Sequence, residues 1–157
     1  RAGYTRAQTP ALLKGLLWGP DGAAFSPTHT RKKDKLYRYY ISQSVLRHGA
    51  RACPVGRVSA AEIESAVIDQ LRAILRQPEI MASAFRTAKS QHPPISEDEA
   101  RAALIALDPL WDELFPAEQA RIVQLLVERV DIGLDGLDIR MRLDGMASLA
   151  QEMRQAA

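Results

Sequence analysis

The sequence predicts an α+β fold: a small antiparallel β-ribbon or sheet, built from N-terminal strands plus a C-terminal hairpin, with a helical hairpin or small bundle inserted between them. Three observations support this prediction. Residues 36–41 combine aromatic and β-branched side chains in the manner of a strand. Residues 59–130 repeat apolar side chains at helical spacing. Residues 130–143 alternate around Asp135-Gly136, a hairpin turn signal.

The predicted ribbon begins with an apolar run from Leu12 to Trp18. This run stops at Gly19-Pro20-Asp21-Gly22, a strong turn signal because proline presets φ and Asp-Gly accepts unusual φ values. The segments that follow are a second strand at residues 24–30, a polar tip at 31–35 and a third strand at 36–41 with Tyr37, Tyr39 and Ile41 on one face.

Capping residues and prolines mark the helical part. Ser59 with Glu62 has the spacing of a capping box, Ser96 precedes three acidic residues, and Pro116 suits a helix start. His92-Pro93-Pro94 separates two helical arms. The expected buried faces comprise Ile63, Val67, Leu71, Ile74 and Leu75, then Leu104, Leu107, Leu110, Trp111, Leu114 and Phe115, then Ile122, Val123, Leu125, Leu126 and Val130.

These elements predict three units. The ribbon-like subdomain takes residues 1–57 and 129–145, the helical subdomain 58–128, and a C-terminal helix 146–157, with residues 1–11 as a linker. No apolar run approaches the roughly 18 residues of a membrane span, so we expect no membrane partner. Cys53 is the only cysteine, and a protein without disulfides fits the cytoplasm best.

Charge is divided unevenly along the chain. Residues 1–57 hold 11 basic and two acidic side chains, whereas residues 58–157 hold 10 basic and 17 acidic ones, so the net charge of +2 conceals a basic first part. Such asymmetry favours a polyanion partner for that part. The alternative is that the basic residues 31–35 are only a solvated hairpin tip.

Metal and catalytic patterns are weak. Cys53, His29 and His48 invite a zinc hypothesis, but no C-x2-C pair is present, so we expect no metal and no cofactor. The sequence contains no G-x-S-x-G, H-E-x-x-H or P-loop pattern, and we assign no catalytic residue. The aromatic pair Trp111 and Phe115 is expected in the core.

Several segments occur in the order found in a known family. They are Leu13-Lys14-Gly15-Leu16-Leu17, Tyr37-Arg38-Tyr39-Tyr40, Cys53 and a helix start at residues 60–67, followed by residues 110–130. Over nearly its whole length the chain resembles the zinc-ribbon region of serine site-specific recombinases of the large resolvase/invertase type. The resemblance implies a DNA-binding C-terminal part, while the family's catalytic serine domain has no counterpart in this chain.

One departure from the family concerns zinc. Zinc-binding members carry two cysteine pairs, whereas here the Trp18–Gly22 turn replaces the first pair and only Cys53 remains of the second. We therefore expect packing of Trp18 and the aromatic strand to replace the metal. The helical arms of this chain occupy the place where such proteins carry a coiled-coil excursion that is used between subunits. The resemblance therefore implies a possible homo-oligomer through the helical hairpin.

The hypothesis from the sequence is a non-catalytic module that helps to hold double-stranded attachment-site DNA during integration and excision. The alternative is a protein-interaction or oligomerisation module that uses the helical hairpin. For the first, the expected phosphate-contacting residues are Lys14, Arg31, Lys32, Lys33, Lys35, Arg38 and Arg47, with His29 and Thr30 as groove readers.

Overall fold

The computed structural model describes residues 11–87 and 96–156. It confirms the α+β fold class. The predicted linker up to residue 10 and the His92-Pro93-Pro94 breaker lie outside the described residues. The strands are β1 Leu17–Trp18, β2 Phe25–Lys32, β3 Lys35–Ser42, β4 Arg57–Ser59, β5 Val127–Ile132 and β6 Leu137–Met141. The helices are α1 Gln43–His48, α2 Ala60–Leu75, α3 Pro78–Thr87, α4 Glu97–Leu110, α5 Pro116–Leu126 and α6 Leu143–Ala156.

The ribbon is the antiparallel pair β2–β3, with β4 added along the other edge of β3. Its register runs from Phe25 opposite Ser42 to Lys32 opposite Lys35. Lys33 and Asp34 form the two-residue loop, with φ of 50° and 64° respectively. Positive φ at both positions is what a tight hairpin turn requires, and aspartate tolerates it better than lysine does.

The C-terminal hairpin does not join the ribbon, contrary to the single sheet expected. Strands β5 and β6 form a second sheet with β1, and the Val130 N–H donates to the Leu16 carbonyl oxygen at 2.7 Å. Two features explain this choice. The edges of the ribbon sheet are β2, where Pro27 removes a backbone donor, and β4, which has only three residues. The apolar Leu17, by contrast, lies opposite Val130, and both side chains are fully buried.

The N-terminal run forms less strand than expected. Only Leu17 and Trp18 are extended, because the chain turns between Ala11 and Leu16, where the Leu16 N–H donates to the Leu13 carbonyl at 3.0 Å. Conversely, helix α1 was not predicted; the Ser42 hydroxyl caps it by accepting from the Ser44 N–H at 3.1 Å.

One hydrophobic core joins both sheets to the helices. Helix α2 buries one stripe, and α6 packs against α3, α4 and α5. Ser59 precedes α2 as predicted, but its side chain makes no capping bond. The buried residues of α2 are Ala60, Ile63, Val67, Leu71 and Leu75. Among the described residues, no helix has the length and apolarity needed to cross a membrane.

Two residues expected in the core lie outside it. Trp111 is buried, but Phe115 is 73% exposed and Leu110 is 44% exposed. Helix α4 ends at Leu110, and Phe115 is the extended residue before α5. Because the helix is broken between Trp111 and Phe115, their four-residue spacing no longer puts them on one face.

A buried phenol holds the ribbon to the body. The Tyr40 hydroxyl donates to Glu64 Oε2 on α2 at 2.5 Å and accepts from the Leu13 N–H at 3.0 Å. Arg38 donates to both oxygens of the same carboxylate, at 3.4 Å and 3.0 Å. Burial first, and then Glu64, raise the pKa of the Tyr40 phenol, which keeps it a hydrogen-bond donor. The network ties β3 to α2 and to the turn before β1.

An ion-paired cluster joins α2 to α4. Arg72 Nε lies 2.6 Å from Asp108 Oδ1, and Arg76 Nη2 lies 3.0 Å from Asp108 Oδ2. The hydrogen bonds from Arg72 and then Arg76 lower the pKa of Asp108 to about 2. One carboxylate therefore bridges two guanidinium groups at the contact between the helices.

Replacing Tyr40 with phenylalanine should lower the free energy of unfolding by about 1–3 kcal/mol, because the buried Leu13 N–H and Glu64 Oε2 each lose a partner. Unfolding in urea would measure the loss, provided that the slope m of the unfolding free energy against urea concentration is the same for both proteins. Tyr37→Phe is the matched control, since Tyr37 is exposed on the ribbon, and it should leave stability within a few tenths of a kcal/mol. Equal stability of the two variants would contradict the anchoring role of Tyr40.

The Asp108 cluster should weaken in acid. Because the folded pKa lies below the unfolded value, the stabilisation is complete above about pH 4 and declines as the pH falls toward 2. The difference in melting temperature between the wild type and Asp108→Asn should therefore narrow as the pH is lowered through this window. Asp135→Asn, in the exposed β5–β6 turn, is the control and should show no such narrowing. A difference independent of pH would argue against the ion-paired carboxylate.

Candidate nucleic-acid interface

The tip of the ribbon projects from the body. Every residue from His29 to Tyr37 is exposed, on both faces of the two strands. The four residue pairs from His29–Arg38 to Lys32–Lys35 span roughly 10 Å along the strands at about 3.4 Å per residue. The first of these pairs is joined to α2 through Arg38, and the pairs beyond it form an exposed two-stranded finger.

Cross-strand pairing divides the side chains of the ribbon between two faces, because paired residues share a face. The inner face is the one on which Tyr40 is buried, and the outer face is the opposite one. The two residues predicted as groove readers, His29 and Thr30, therefore lie on opposite faces. Toward the tip, the inner face holds His29, Arg31, Leu36 and Arg38, and the outer face holds Thr28, Thr30, Lys32, Lys35, Tyr37 and Tyr39.

The cations at the tip have no acidic partners. Within the part of the chain that the structure describes, no carboxylate lies within 4.0 Å of Arg31, Lys32, Lys33 or Lys35. Ion pairs are instead made by arginines of the body, at Arg72, Arg76, Arg101, Arg121, Arg129 and Arg140. The projecting finger therefore carries a cluster of positive charges that the described residues of the chain do not neutralise.

Aromatic rings of the outer face lie beneath two cations. Lys35 Nζ is 5.5 Å from the centre of the Tyr37 ring, and the Arg57 guanidinium is 4.3 Å from the centre of the Tyr39 ring. Because Arg57 pairs with Ile41 across β3–β4, it lies on the same outer face. These contacts hold the cations in place without neutralising them.

The remaining predicted contact residues lie away from the tip. The Arg38 guanidinium is bonded to Glu64, so in this structure it holds the ribbon to α2. Lys14 is exposed in the turn before β1, and its carbonyl accepts from Gln124 Nε2 at 3.1 Å. Arg47 is exposed on α1, which follows the end of β3 opposite the tip. The structure thus brings together His29, Thr30, Arg31, Lys32, Lys33 and Lys35, but not Lys14, Arg38 and Arg47.

Two residues of this surface were missed from the sequence. Glu64 lies next to the buried stripe of α2, four residues after Ala60, and an acidic residue beside an apolar stripe is a signal that it has a basic partner. Arg57 could not be assigned without knowing that β4 pairs with β3, because its partner Tyr39 is distant in sequence.

The residues present do not suit a zinc ion. A structural zinc site takes four cysteine or histidine ligands in tetrahedral geometry. Among residues 11–87 and 96–156, no group of three or more His, Cys, Asp or Glu side chains is placed to hold a metal. The chain has one cysteine, Cys53, whose thiol donates to the Val55 carbonyl at 3.1 Å, while His29 and His48 are both exposed.

Comparison with known proteins gives one family match. Residues 12–72 match a family model described as the recombinase zinc beta ribbon domain. These residues include the ribbon, α1, β4 and most of α2. No curated protein matches the chain.

Two solved structures share the fold. One, described as "Sequence Requirements of the Listeria innocua prophage attP site", is 15% identical with a TM-score of 0.50, and the match covers 87% of this chain and 45% of that one. The other, described as "Crystal Structure of a LSR-DNA Complex", where LSR stands for large serine recombinase, is 14% identical with a TM-score of 0.51, and the match covers 87% and 57%. The chain spans about half the length of these solved chains. The resemblance inferred from the sequence is thereby confirmed for residues 12–72, which match the recombinase zinc beta ribbon domain, and the chain as a whole shares the fold of the two solved structures.

Proposed function

We propose that this chain is the DNA-binding module of a serine site-specific recombinase and that its ribbon tip enters a groove of attachment-site DNA. The observation that carries the proposal is the projecting finger with four cations that have no acidic partner among the described residues. Lysine and arginine side chains that neutralise phosphates release counterions, which is the main source of affinity for DNA. The family match and the DNA complex among the similar structures support the same partner.

The dimensions of the finger suit the major groove. That groove is about 12 Å wide and about 8.5 Å deep, and it admits a two-stranded β-ribbon. The ribbon has two strands about 4.8 Å apart and projects by roughly 10 Å. A finger of this size reaches the base edges while side chains on its flanks reach the phosphates on both sides.

The two faces of the finger suggest different contacts. On the outer face, the hydroxyl groups of Thr28, Thr30 and Tyr37 lie among Lys32 and Lys35, so donors and acceptors for bases stand beside cations for phosphates. On the inner face, Arg31 and His29 are the exposed polar groups closest to the tip. We assign Lys14 and Arg47 to contacts with DNA phosphates outside the groove. We assign Arg38 to anchoring the ribbon instead of contacting phosphate.

The proposed role is non-catalytic. The ribbon would hold the attachment site in register during integration and excision, while the serine chemistry of such recombinases would belong to a domain that has no counterpart here. A DNA partner agrees with the cytoplasmic location expected from the single cysteine.

A second candidate is a subunit contact through the helices. Three apolar side chains near the junction of α4 and α5 are exposed: Ile105, Leu110 and Phe115. Exposed apolar side chains grouped on one part of a surface are typical of interfaces. Concentration-dependent sedimentation that is lost in Phe115→Ser, with DNA binding unchanged, would establish this role beside the first.

The charge of the tip should govern the salt dependence of binding. The test variant carries Arg31→Gln, Lys32→Gln and Lys33→Asn; asparagine suits the positive φ of residue 33, so the turn is preserved. Affinity for duplex DNA, measured by fluorescence anisotropy at several salt concentrations, should fall on the order of a hundredfold at moderate salt. The slope of log K against log salt should become shallower by about 2–3.

The matched control removes the same charge from the body. Arg76, Arg121 and Arg140 are exposed and ion-paired, and their replacement by glutamine should leave the salt slope unchanged. Melting curves confirm that both variants are folded. Equal losses of affinity in the two variants would mean that binding depends on net charge alone, and the finger would have no special role.

A further inference from the structure

We propose that hydrogen bonds within and between three loops, among them those made by Asp21, Ser42 and Cys53, close the base of the ribbon where zinc-binding members of the family carry a metal, so that this chain folds and holds its ribbon without zinc. The way in which the base of the ribbon is fixed is independent of what the tip contacts.

Three loops meet at this base. They are the turn at residues 19–24, the start of α1 at 42–44 and the loop at 53–56. Backbone hydrogen bonds join them: the Gln43 N–H donates to the Ala24 carbonyl at 2.9 Å, and the Ser42 N–H donates to the Gly56 carbonyl at 2.8 Å. The loops are therefore held together by the chain itself.

The Asp21 carboxylate organises the first loop. Its Oδ1 accepts from the Ala23 N–H at 3.1 Å, which fixes the turn. The Ser44 hydroxyl first, and then the Ala23 N–H, hold the pKa of Asp21 below its ordinary value. The bond to Ala23 fixes the turn that leads into β2.

The first loop also has a tightly packed glycine. A Cβ atom added to Gly19 would lie 2.7 Å from Phe25 Cε1 and 3.3 Å from Asp21 Oδ1. Gly19 is buried, and so is Phe25. The close approach leaves no space for a side chain, and hence for a metal-ligating one, at this position in the present packing.

The polar groups of the other two loops are bonded to protein atoms. Cys53 is 4% exposed, and its thiol donates to the Val55 carbonyl. A zinc-bound cysteine is a thiolate, which has no proton to donate. Ser42 is fully buried, and its hydroxyl accepts from the Ser44 N–H at 3.1 Å. These hydrogen bonds satisfy the buried polar groups that a metal would otherwise organise.

The first test measures zinc on the whole chain. Elemental analysis of protein purified with zinc present should find far less than one zinc per chain, and a strong chelator should leave the melting temperature and refolding unchanged. Stoichiometric zinc, or a melting temperature that falls on chelation and recovers with added zinc, would overturn the proposal.

The second test addresses these hydrogen bonds. Asp21→Ala and Ser42→Ala should each lower the melting temperature by about 3 °C or more, because each removes a side-chain acceptor that fixes one of the loops. Asp135→Ala, in the turn of the other sheet, is the control and should have little effect. No loss in either variant would show that these hydrogen bonds do not stabilise the base.

A third measurement separates this proposal from the proposed function. Affinity for duplex DNA should be the same with and without chelator. If the chain binds no DNA under either condition while remaining folded and zinc-free, the proposed function is wrong but the proposal of a metal-free base is supported. If the chelator unfolds the chain, the proposal of a metal-free base is wrong, whether or not the zinc-loaded chain binds DNA.

Discussion

The structure depends on one buried hydroxyl. Tyr40 donates to Glu64 and accepts from the Leu13 N–H, and thereby joins the ribbon, the helix that follows it and the turn before β1. A buried phenol or carboxylate without a partner is costly, so each group constrains the position of the others. Arg38 adds a bidentate contact to the same carboxylate. The direction in which the finger points from the body is therefore set at its base.

The distribution of ion pairs explains why the small net charge misleads. Helices and the second sheet pair their arginines with nearby carboxylates, as Arg72 and Arg76 do with Asp108. On the finger, Asp34 is the one acidic residue among the cations of residues 31–38, and it forms no ion pair with any cation in the described part of the chain. Unneutralised charge on a projection costs little in water but repels itself, which a polyanion partner relieves. The fold keeps the two kinds of charge in separate parts.

Local patterns in the sequence predicted the elements but not their long-range partners. The aromatic strand, the hairpin at Asp135-Gly136 and the start of the helix at Pro116 are each fixed by neighbouring residues. The division into two sheets depends on which strand edges meet. The hydrophobic periodicity of the sequence does not reveal that Pro27 lies on an edge of the ribbon. Arg38 was assigned to DNA because charge alone does not reveal Glu64, 26 residues away. Phe115 was assigned to the core because the break after Leu110 was not foreseen.

A two-stranded ribbon has little stability of its own, so a finger that binds must be ordered from its base. A metal would order the base through a few strong bonds. Here the order would come from many weaker ones, spread over the Asp21 turn, the cap of α1 and the Tyr40 network. Ordering the finger before it meets its partner lowers the entropy lost on binding. A base held by hydrogen bonds would supply this order wherever the protein is folded, independently of zinc supply.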